Sequence, residues 1–396
     1  MDQRSTNLAK FVEYPHTECV IRRAYEPLDS YVEPNRVLVI YGPRRVGKTT
    51  LVNNYLTTTP LKYKSAVGDD LPTQQLLSSL DVRLIQEYLE GYELFVLDEA
   101  QYVPNVGRAL KIIVDQIPRI SVVATGSSSF ELAGQIGEPL TGRKRTLLLY
   151  PVSQSELLSL HNRHELRQAL SDFLVFGTYP EVVLASTRNA RTELVREIAN
   201  SYLLKDILAF ERVRSSRKLW NLLKLLAFQV GGEVSLNELA ASLGLDVKTV
   251  NRYLDLLVKS FVLLRLGGFS RNLRKEITQK AKYYFFDNGI RNAVISQFNP
   301  LDLRDDAGQL WENFMVMERV KHLTYGGDPA NLYFWRTYDQ QEIDLVEERG
   351  RQLDGYEFKW AHGKPVRPPK GWRATYPEAT FSVITLQNYQ DLILSR

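Results

Sequence analysis

An eight-residue segment early in the chain has the residue types of a phosphate-binding loop. It reads Gly-Pro-Arg-Arg-Val-Gly-Lys-Thr, follows an apolar strand-like run and opens a helix, which is the context that separates a phosphate loop from a chance match. Backbone N–H groups would face phosphate oxygens, Lys48 would neutralise them, and the Thr49 hydroxyl would bind Mg²⁺. The predicted nucleotide contacts in this segment are Gly42, Pro43, Arg44, Arg45, Val46, Gly47, Lys48, Thr49 and Thr50.

Two adjacent carboxylates end a second apolar run, Leu94 to Leu97. Asp98 is predicted to hold the magnesium ion and its water shell, and Glu99 to orient or deprotonate the attacking water. The alternative is a coincidental turn followed by a solvated strand end. Because both motifs occur at a sensible separation, the sequence predicts hydrolysis of Mg-ATP.

Two further residues could respond to the nucleotide. Ser127 follows the third apolar run and brings a hydroxyl near the carboxylates, where it could sense the γ-phosphate; an ordinary serine-rich turn is the alternative. Arg143 follows Gly142 and could reach the nucleotide of a neighbouring subunit, because arginine stays charged and matches phosphate geometry. A surface arginine beside Lys144 and Arg145 explains the same residues equally well.

Composition limits the class of protein. The chain has 396 residues, 44% apolar and 24% charged, so several folded domains are expected. Cys19 is the only cysteine, which excludes an internal disulfide and fits a reducing compartment, so a cytoplasmic location is expected. No apolar run approaches the roughly 20 residues that span a bilayer. The net charge of +4 is too small to predict a nucleic-acid partner by itself.

The order of strand-like and helix-like runs predicts an α/β chain with several parts. Alternating strands and helices at 31–152 indicate a parallel-sheet core, and long amphipathic runs at 153–231 indicate a helical lid. A short helix, a turn, a second helix at 247–259 and two β-rich runs at 232–290 outline a winged helix-turn-helix. A further α/β domain is expected at 300–396, and residues 1–30 form a lead segment.

The chain resembles a prokaryotic family of AAA-type ATPases that carry a C-terminal domain of unassigned function. The resemblance extends over nearly the whole chain and implies an AAA-like core, a winged helix and a tail with a restriction-endonuclease-like fold. It rests on the phosphate loop through Leu51, Leu97-Asp98-Glu99-Ala100-Gln101, Thr125-Gly126-Ser127-Ser128, Gly142-Arg143, Gly177-Thr178-Tyr179-Pro180-Glu181, Trp311-Glu312-Asn313-Phe314, Tyr333-Phe334-Trp335-Arg336 and Glu342-Ile343-Asp344-Leu345.

The resemblance also implies a nuclease-like site in the tail. Glu312 on a helix, Asp344 on a strand, and Glu357 and Lys359 on the next strand reproduce the residue order of that nuclease superfamily. Glu357 and Lys359 are two apart and so share one face of a strand. Their carboxylates would hold a divalent cation, with Lys359 activating a water or stabilising charge. The alternative is a structural cluster of ion pairs.

Basic residues flank this segment and favour DNA as a partner. Basic side chains between residues 264 and 282 would form the wing of the winged helix. Further basic side chains lie at the start of the second helix, and this end of the helix commonly enters a major groove. A third group, which follows the nuclease-like lysine, is interleaved with aromatic rings that suit phosphates and unstacked bases. A solvated basic face is the alternative. The predicted DNA contacts are Lys248, Arg252, Arg271, Arg274, Lys275, Lys364, Arg367 and Lys370.

These observations predict an ATP-hydrolysing motor or switch that uses ATP and Mg²⁺ and binds duplex or branched DNA. A homo-oligomer is expected, with a hexameric ring as one arrangement. The alternative function is a nucleotide-switched regulator whose winged helix and tail bind protein partners. DNA-stimulated ATPase activity would distinguish the two.

Overall fold

The computed structural model describes residues 21–127, 140–201, 216–270, 281–361 and 366–394. The first part is a five-stranded parallel sheet in the order β2-β3-β4-β1-β5. Its strands are β1 (Val37–Tyr41), β2 (Tyr63–Val67), β3 (Leu94–Asp98), β4 (Ser121–Gly126) and β5 (Lys144–Leu148). The predicted α/β class with a parallel-sheet core is confirmed.

Among the described residues, four helices and two short 3₁₀ helices accompany this sheet. The central strands are apolar on both faces because helices cover them, as parallel sheets require. The edge strand β2 has one buried residue among five, Ala66, so it lacks the continuous apolar run that marks the others, and the sequence did not predict it. The helices are α1 (Lys48–Thr58), α2 (Leu71–Ser78), α3 (Val82–Leu89) and α4 (Val106–Gln116), with 3₁₀ helices at Leu28–Tyr31 and Ala100–Tyr102.

The segment predicted as a lid is helical in its described residues. Its first long helix begins at Arg188 and is described as far as Ser201. The helices are α5 (Gln154–Leu157), α6 (Arg163–Gln168), α7 (Leu170–Phe176), α8 (Pro180–Leu184), α9 (Arg188–Ser201) and α10 (Ser216–Phe228).

The next segment alternates short strands with two helices. The helix predicted at 247–259 has those bounds, because Asp246 accepts a hydrogen bond from the Thr249 N–H at 2.8 Å and caps it. The elements are β6 (Glu233–Val234), α11 (Leu236–Leu243), α12 (Val247–Lys259), β7 (Leu263–Gly268), β8 (Ala281–Phe285) and α13 (Asn288–Val294).

The tail begins with a 3₁₀ helix and a long buried helix. The strand expected to carry both Glu357 and Lys359 ends at Phe358, so Lys359 lies just beyond it. The elements are a 3₁₀ helix at Leu301–Leu303, α14 (Ala307–Gly326), β9 (Asn331–Arg336), β10 (Glu342–Arg349), β11 (Gln352–Phe358), α15 (Lys370–Thr375), β12 (Thr380–Ile384) and α16 (Tyr389–Leu394).

One seven-stranded sheet joins the last two segments, in the order β12-β11-β10-β9-β7-β8-β6. The junction is the parallel pair of β7 and β9, where Gly267 lies opposite Tyr333 and Gly268 opposite Phe334. The two glycines are the last residues of β7. The separate winged-helix and tail domains of the sequence analysis stay a prediction, but their strands pair in a common sheet.

Helix α14 links the tail to the parallel-sheet core. Its Glu318 accepts the Gln154 N–H at 2.7 Å, its Lys321 donates to the Val152 carbonyl at 3.2 Å, and its Tyr325 hydroxyl accepts the Tyr150 N–H at 3.0 Å. The tail is thus anchored at the end of β5 and the start of α5. In the described part of the chain, no helix is long and apolar enough to cross a membrane.

Candidate nucleotide site and tail cluster

The phosphate loop lies between the carboxyl end of β1 and the amino end of α1. Gly42 has a φ of +147°, and a Cβ there would lie 2.1 Å from the Leu149 carbonyl oxygen, so the position needs glycine. Gly47, at φ +91°, precedes the first helical residue, Lys48. The loop therefore presents its backbone N–H groups at the start of a helix, where phosphate binds.

Lys48 is buried and folds back over the loop. Its ammonium donates to the carbonyl oxygens of Gly42 at 2.9 Å and Pro43 at 2.8 Å. These partners are neutral dipoles, so the contacts hold the ammonium in place without cancelling its charge. Such a lysine suits the neutralisation of phosphate oxygens.

Asp98 accepts hydrogen bonds from two threonine hydroxyls. Thr49 in α1 donates to Oδ2 at 2.9 Å, and Thr125 in β4 donates to Oδ1. Hard oxygen ligands of this kind suit Mg²⁺, which proteins hold through one or two side chains plus substrate phosphates. The residues predicted to hold magnesium, Thr49 and Asp98, thus lie in contact and fit the ion. Thr125 had no role in the predicted site.

Glu99 is fixed in an unusual backbone conformation directly after β3. Its φ is +49°, and its N–H donates to the Thr125 hydroxyl at 3.1 Å. Its carboxylate oxygen Oε2 accepts a hydrogen bond from the Gln101 side-chain amide. The oxygen of that amide accepts the Ser127 N–H at 3.3 Å. The predicted base and the predicted sensor are therefore joined through Gln101, for which the sequence assigned no role.

Two arginines of the loop make contacts outside it. The Arg44 guanidinium donates to the Tyr102 hydroxyl at 2.8 Å. Arg45 pairs with Glu181 of α8 at 3.6 Å and with Glu197 of α9 at 2.5 Å, which ties the loop to the helical segment. The remaining predicted contact, Thr50, is exposed on the first turn of α1.

Arg23, from the lead segment, contacts the phosphate loop. It is 5% exposed, donates to the Val46 carbonyl and pairs with Glu156 at 2.7 Å. Burial alone would lower the pKa of Arg23, but the Glu156 carboxylate raises it, so the group stays charged. The sequence analysis assigned no function to this segment, because Glu156 is 133 positions away.

The phosphate loop lies at the carboxyl-terminal end of the sheet strands. Arg143 of the same chain lies at the opposite, amino-terminal end. It precedes β5, its carbonyl accepts the Val37 N–H at 2.9 Å at the start of β1, and its side chain pairs with Asp115 at 2.6 Å. The loop follows the far end of β1, about 16 Å away at strand rise. Arg143 cannot serve its own nucleotide, and a role towards a neighbouring subunit stays a prediction.

Lys282, on β8, lies among the tail carboxylates that were predicted to bind a cation. Its side chain is 1% exposed, and its ammonium is 3.3 Å from Glu312 and 4.0 Å from Asp344 and also pairs with Glu342. The Tyr284 hydroxyl donates to Glu312 at 2.7 Å. Lys282 was expected in a DNA-binding wing, but it is buried because three acids from distant segments surround it.

Burial and crowding shift the ionisation of this cluster. Burial first, and then the neighbouring Glu312 and Glu357, hold the pKa of Asp344 well above its usual range, although Lys282 opposes them. Burial also raises the pKa of Glu312. Although burial lowers the pKa of Lys282, the acids around it raise it above its ordinary value. The cluster therefore has an excess of negative charge around one buried cation.

The fourth predicted tail residue, Lys359, lies at the rim of this cluster. Its ammonium pairs with Glu357 at 2.6 Å, as their shared strand face predicted. Within the described ranges, no group of three or more His, Cys, Asp or Glu side chains could hold a metal ion. The metal assignment of Glu312, Asp344 and Glu357 stays a prediction, and their described contacts with Lys282 and Lys359 are ion pairs.

Four of the eight predicted DNA contacts are described. Lys248 and Arg252 are exposed on the first two turns of α12, and Arg367 and Lys370 are exposed before and at the start of α15. Arg271, Arg274, Lys275 and Lys364 lie outside the described residues.

Comparisons with known proteins divide the chain into three matched regions. Residues 34–158 match a family described as AAA domain, residues 167–301 match a domain of unknown function (DUF8612), and residues 307–391 match a domain of unknown function (DUF4143). The first match contains the loop, Asp98 and Glu99, and the third contains Glu312, Asp344, Glu357 and Lys359.

Relatives are found in bacteria. An uncharacterized protein of Mycobacterium tuberculosis is 29% identical over 333 residues, covering 82% of this chain and 70% of the relative. An uncharacterized protein of Haemophilus influenzae is 25% identical over 350 residues, covering 83% of each.

Among solved structures, a signal transduction ATPase with numerous domains and a tetratricopeptide repeat sensor, from Pyrococcus horikoshii, aligns with a TM-score of 0.31 and 14% identity. The alignment covers 79% of this chain and 48% of that one, and at this score it supports no conclusion about fold. The matched regions and the geometry of the loop lead to one conclusion: the chain contains an AAA-type P-loop ATPase domain followed by a DUF4143 domain.

Proposed function

We propose that the protein hydrolyses Mg-ATP and uses the cycle to change how its carboxy-terminal half binds DNA. The main support for ATP hydrolysis is the contact of Asp98 with both Thr49 and Thr125, beside Glu99. These contacts bring the phosphate loop, the acidic strand end and the neighbouring strand to one point.

Each side chain has a role in this proposal. Lys48 and the loop N–H groups bind the phosphates, Thr49 and Asp98 hold magnesium, and Glu99 accepts a proton from the attacking water or orients it. When bound, the magnesium ion supplies positive charge that neutralises phosphate oxygens.

The element order of the described residues between 216 and 285 supports a winged helix. A helix (α10) and a short strand (β6) precede the helix pair α11 and α12, and the antiparallel strands β7 and β8 follow, with β6 paired to β8. In such a domain the second helix of the pair commonly enters the major groove. Lys248 and Arg252 are exposed near the start of that helix.

The tail resembles a restriction-endonuclease fold in outline. Helix α14 precedes three antiparallel strands, β9 to β11, and β12 then pairs in parallel with β11. Because Lys282 neutralises part of the acidic cluster, we propose that the tail contacts DNA without cutting it. Cleavage of linear or branched DNA with Mn²⁺ or Mg²⁺, abolished by Asp344→Ala, would contradict this.

We also propose that the chain assembles into a homo-oligomer. Arg143 lies too far from its own loop to act there, so a contribution to catalysis requires a second subunit. The number of subunits in the assembly, for example six in a ring, is not part of the proposal.

The test compares ATPase rates without DNA, with duplex and with a four-way junction. We expect DNA to raise the ATPase rate. When the logarithm of DNA affinity is plotted against the logarithm of salt concentration, the double variant Lys248→Ala with Arg252→Ala should give a slope that is less steep by about two. Arg83→Ala with Lys111→Ala, two exposed cations on core helices, is the matched control.

A rate that DNA does not change, with no DNA binding at low salt, would favour the other candidate. In that case the protein is a nucleotide-switched regulator whose winged helix and tail bind protein partners.

A further inference from the structure

Gln101 forms a bridge between two strand ends at the nucleotide site. It lies in the 3₁₀ helix Ala100–Tyr102, directly after β3 and Glu99. One end of its side-chain amide donates to Glu99 Oε2, and the other accepts the N–H of Ser127 at 3.3 Å, just beyond β4. Ser127 is fully buried, so the anchor at that end is fixed.

The orientation of the amide follows from its partners. A backbone N–H can only donate, so the oxygen of Gln101 must face Ser127. The NH₂ group must then face Glu99, whose ionised carboxylate can only accept. The Gln101 side chain therefore connects the N–H of Ser127, just beyond β4, to the Oε2 of Glu99, the proposed base.

This contact limits how the Glu99 carboxylate can turn. The Glu99 backbone is already held by its N–H bond to Thr125 at 3.1 Å, which leaves the side-chain torsions as the remaining freedom. Engaging Oε2 restricts those torsions and leaves Oε1 as the oxygen that would accept the proton of an attacking water. Groups held in their reacting geometry lower a barrier because the orientation entropy is lost before the reaction begins.

We propose that Gln101 is a positioning residue for ATP hydrolysis, which acts by holding Glu99 in the orientation that activates water. This inference rests on the proposed function, because it assumes that Glu99 is the base. A purely structural role, in which Gln101 only fastens the strand end at Ser127, predicts different behaviour of two variants.

The discriminating pair is Gln101→Met and Gln101→Glu. Methionine keeps the length and loses both hydrogen bonds, whereas glutamate keeps an acceptor for Ser127 and replaces the donor to Glu99 with a second carboxylate. We expect both variants to lower kcat by at least about tenfold, glutamate as much as methionine. The dissociation constant of Mg-ATP, measured by calorimetry, should change by no more than about twofold, because the phosphate contacts are intact.

A double-mutant cycle isolates the route through Glu99. In the Glu99→Gln background, Gln101→Met should cause no further loss of kcat, because residues that act as one unit are not additive. Gln86→Met, at an exposed glutamine of α3, is the matched control and should retain the wild-type rate.

Several outcomes would overturn the inference. It fails if Gln101→Glu keeps kcat within about threefold of wild type. It also fails if Gln101→Met lowers kcat by the same factor in the Glu99→Gln protein as in the wild type. If the methionine variant does not fold, the glutamate variant decides alone, because its anchor to Ser127 is preserved. Failure of the proposed function is distinct: the wild type would not hydrolyse ATP, or Glu99→Gln would hydrolyse it at the wild-type rate.

Discussion

The nucleotide site and the tail cluster each contain a buried lysine near carboxylates, yet their charges are arranged differently. Lys48 donates to backbone carbonyl groups, and Asp98 is held by threonine hydroxyls. In the tail, Lys282 is in direct contact with Glu312 and Glu342. These contacts of Lys48 and Asp98 are with neutral groups, whereas the contacts of Lys282 pair opposite charges. The first arrangement suits an anionic ligand, and the second suits stability.

Exchanging each lysine for methionine should have the largest and most contrasting effects. Lys282→Met leaves buried carboxylates without their cation, so we expect the free energy of unfolding to fall by about 3–5 kcal/mol. Lys48→Met should change it by about 1 kcal/mol at most while abolishing ATP binding. Urea unfolding and calorimetric titration with Mg-ATP measure the two effects, with the half-exposed Lys359→Met as control. Equal losses of stability would remove the contrast.

Glu99→Gln should affect the reaction and spare binding. The amide keeps the shape of the side chain but cannot accept a proton, so kcat should fall about 100-fold while the affinity for ATP is retained. Single-turnover hydrolysis with Mg²⁺, compared with equilibrium binding, is the measurement. A wild-type rate in this variant would mean that Glu99 is not the base.

Arg143→Ala tests whether the nucleotide site is completed by a second subunit. We expect the rate to fall about tenfold or more, and mixing this chain with a Lys48→Ala chain to restore part of it at composite sites. Asp115→Ala, which removes only the partner of Arg143 within the subunit, is the control. A fully active protein that light scattering finds monomeric with ATP bound would exclude the role.

Asp344→Asn should produce the smallest effect and a stabilising one. Asparagine can still accept the Phe358 N–H bond, which is 2.8 Å in the wild type, and it removes one charge from an overcrowded cluster, so we expect a gain of about 1 kcal/mol at pH 8. The pKa of Asp344 is raised in the folded state, so its favourable contribution to stability is present at low pH and is lost as the pH rises. The gain should therefore shrink towards pH 4.

Urea unfolding at several pH values measures this effect, and the exposed Asp339→Asn is the control. A loss of stability on Asp344→Asn that is larger at pH 8 would show that the Asp344 charge is needed, as a bound cation would require.

Local signals predicted more of the fold than of the sites. Helix α12 was predicted with its observed bounds because Asp246 and the apolar periodicity both act within a few residues. Strand β2 was missed because an exposed edge strand needs no apolar run. The loop, Asp98 and Glu99 were found because their spacing is a motif.

The tail cluster could not be found in this way. Lys282 contacts Glu312, 30 positions away, and Glu342 on another strand, and no local pattern records such pairing. Gln101 is a different case, because it lies two positions from Glu99 and was noted only within the family resemblance. Its role depends on the Ser127 N–H, which only the paired strand ends bring close.

The pairing of β7 with β9 has a consequence for how the protein can be truncated. A fragment that ends near residue 300 would leave the N–H and C=O groups of β7 without the partner strand seen at Gly267 and Gly268. Exposed edges of this kind recruit other chains and aggregate. It would also leave Lys282 buried without Glu312, Glu342 and Asp344. A fragment that keeps β7 paired with β9 and Lys282 paired with Glu342 must therefore extend beyond β10, across the boundary that the sequence suggested.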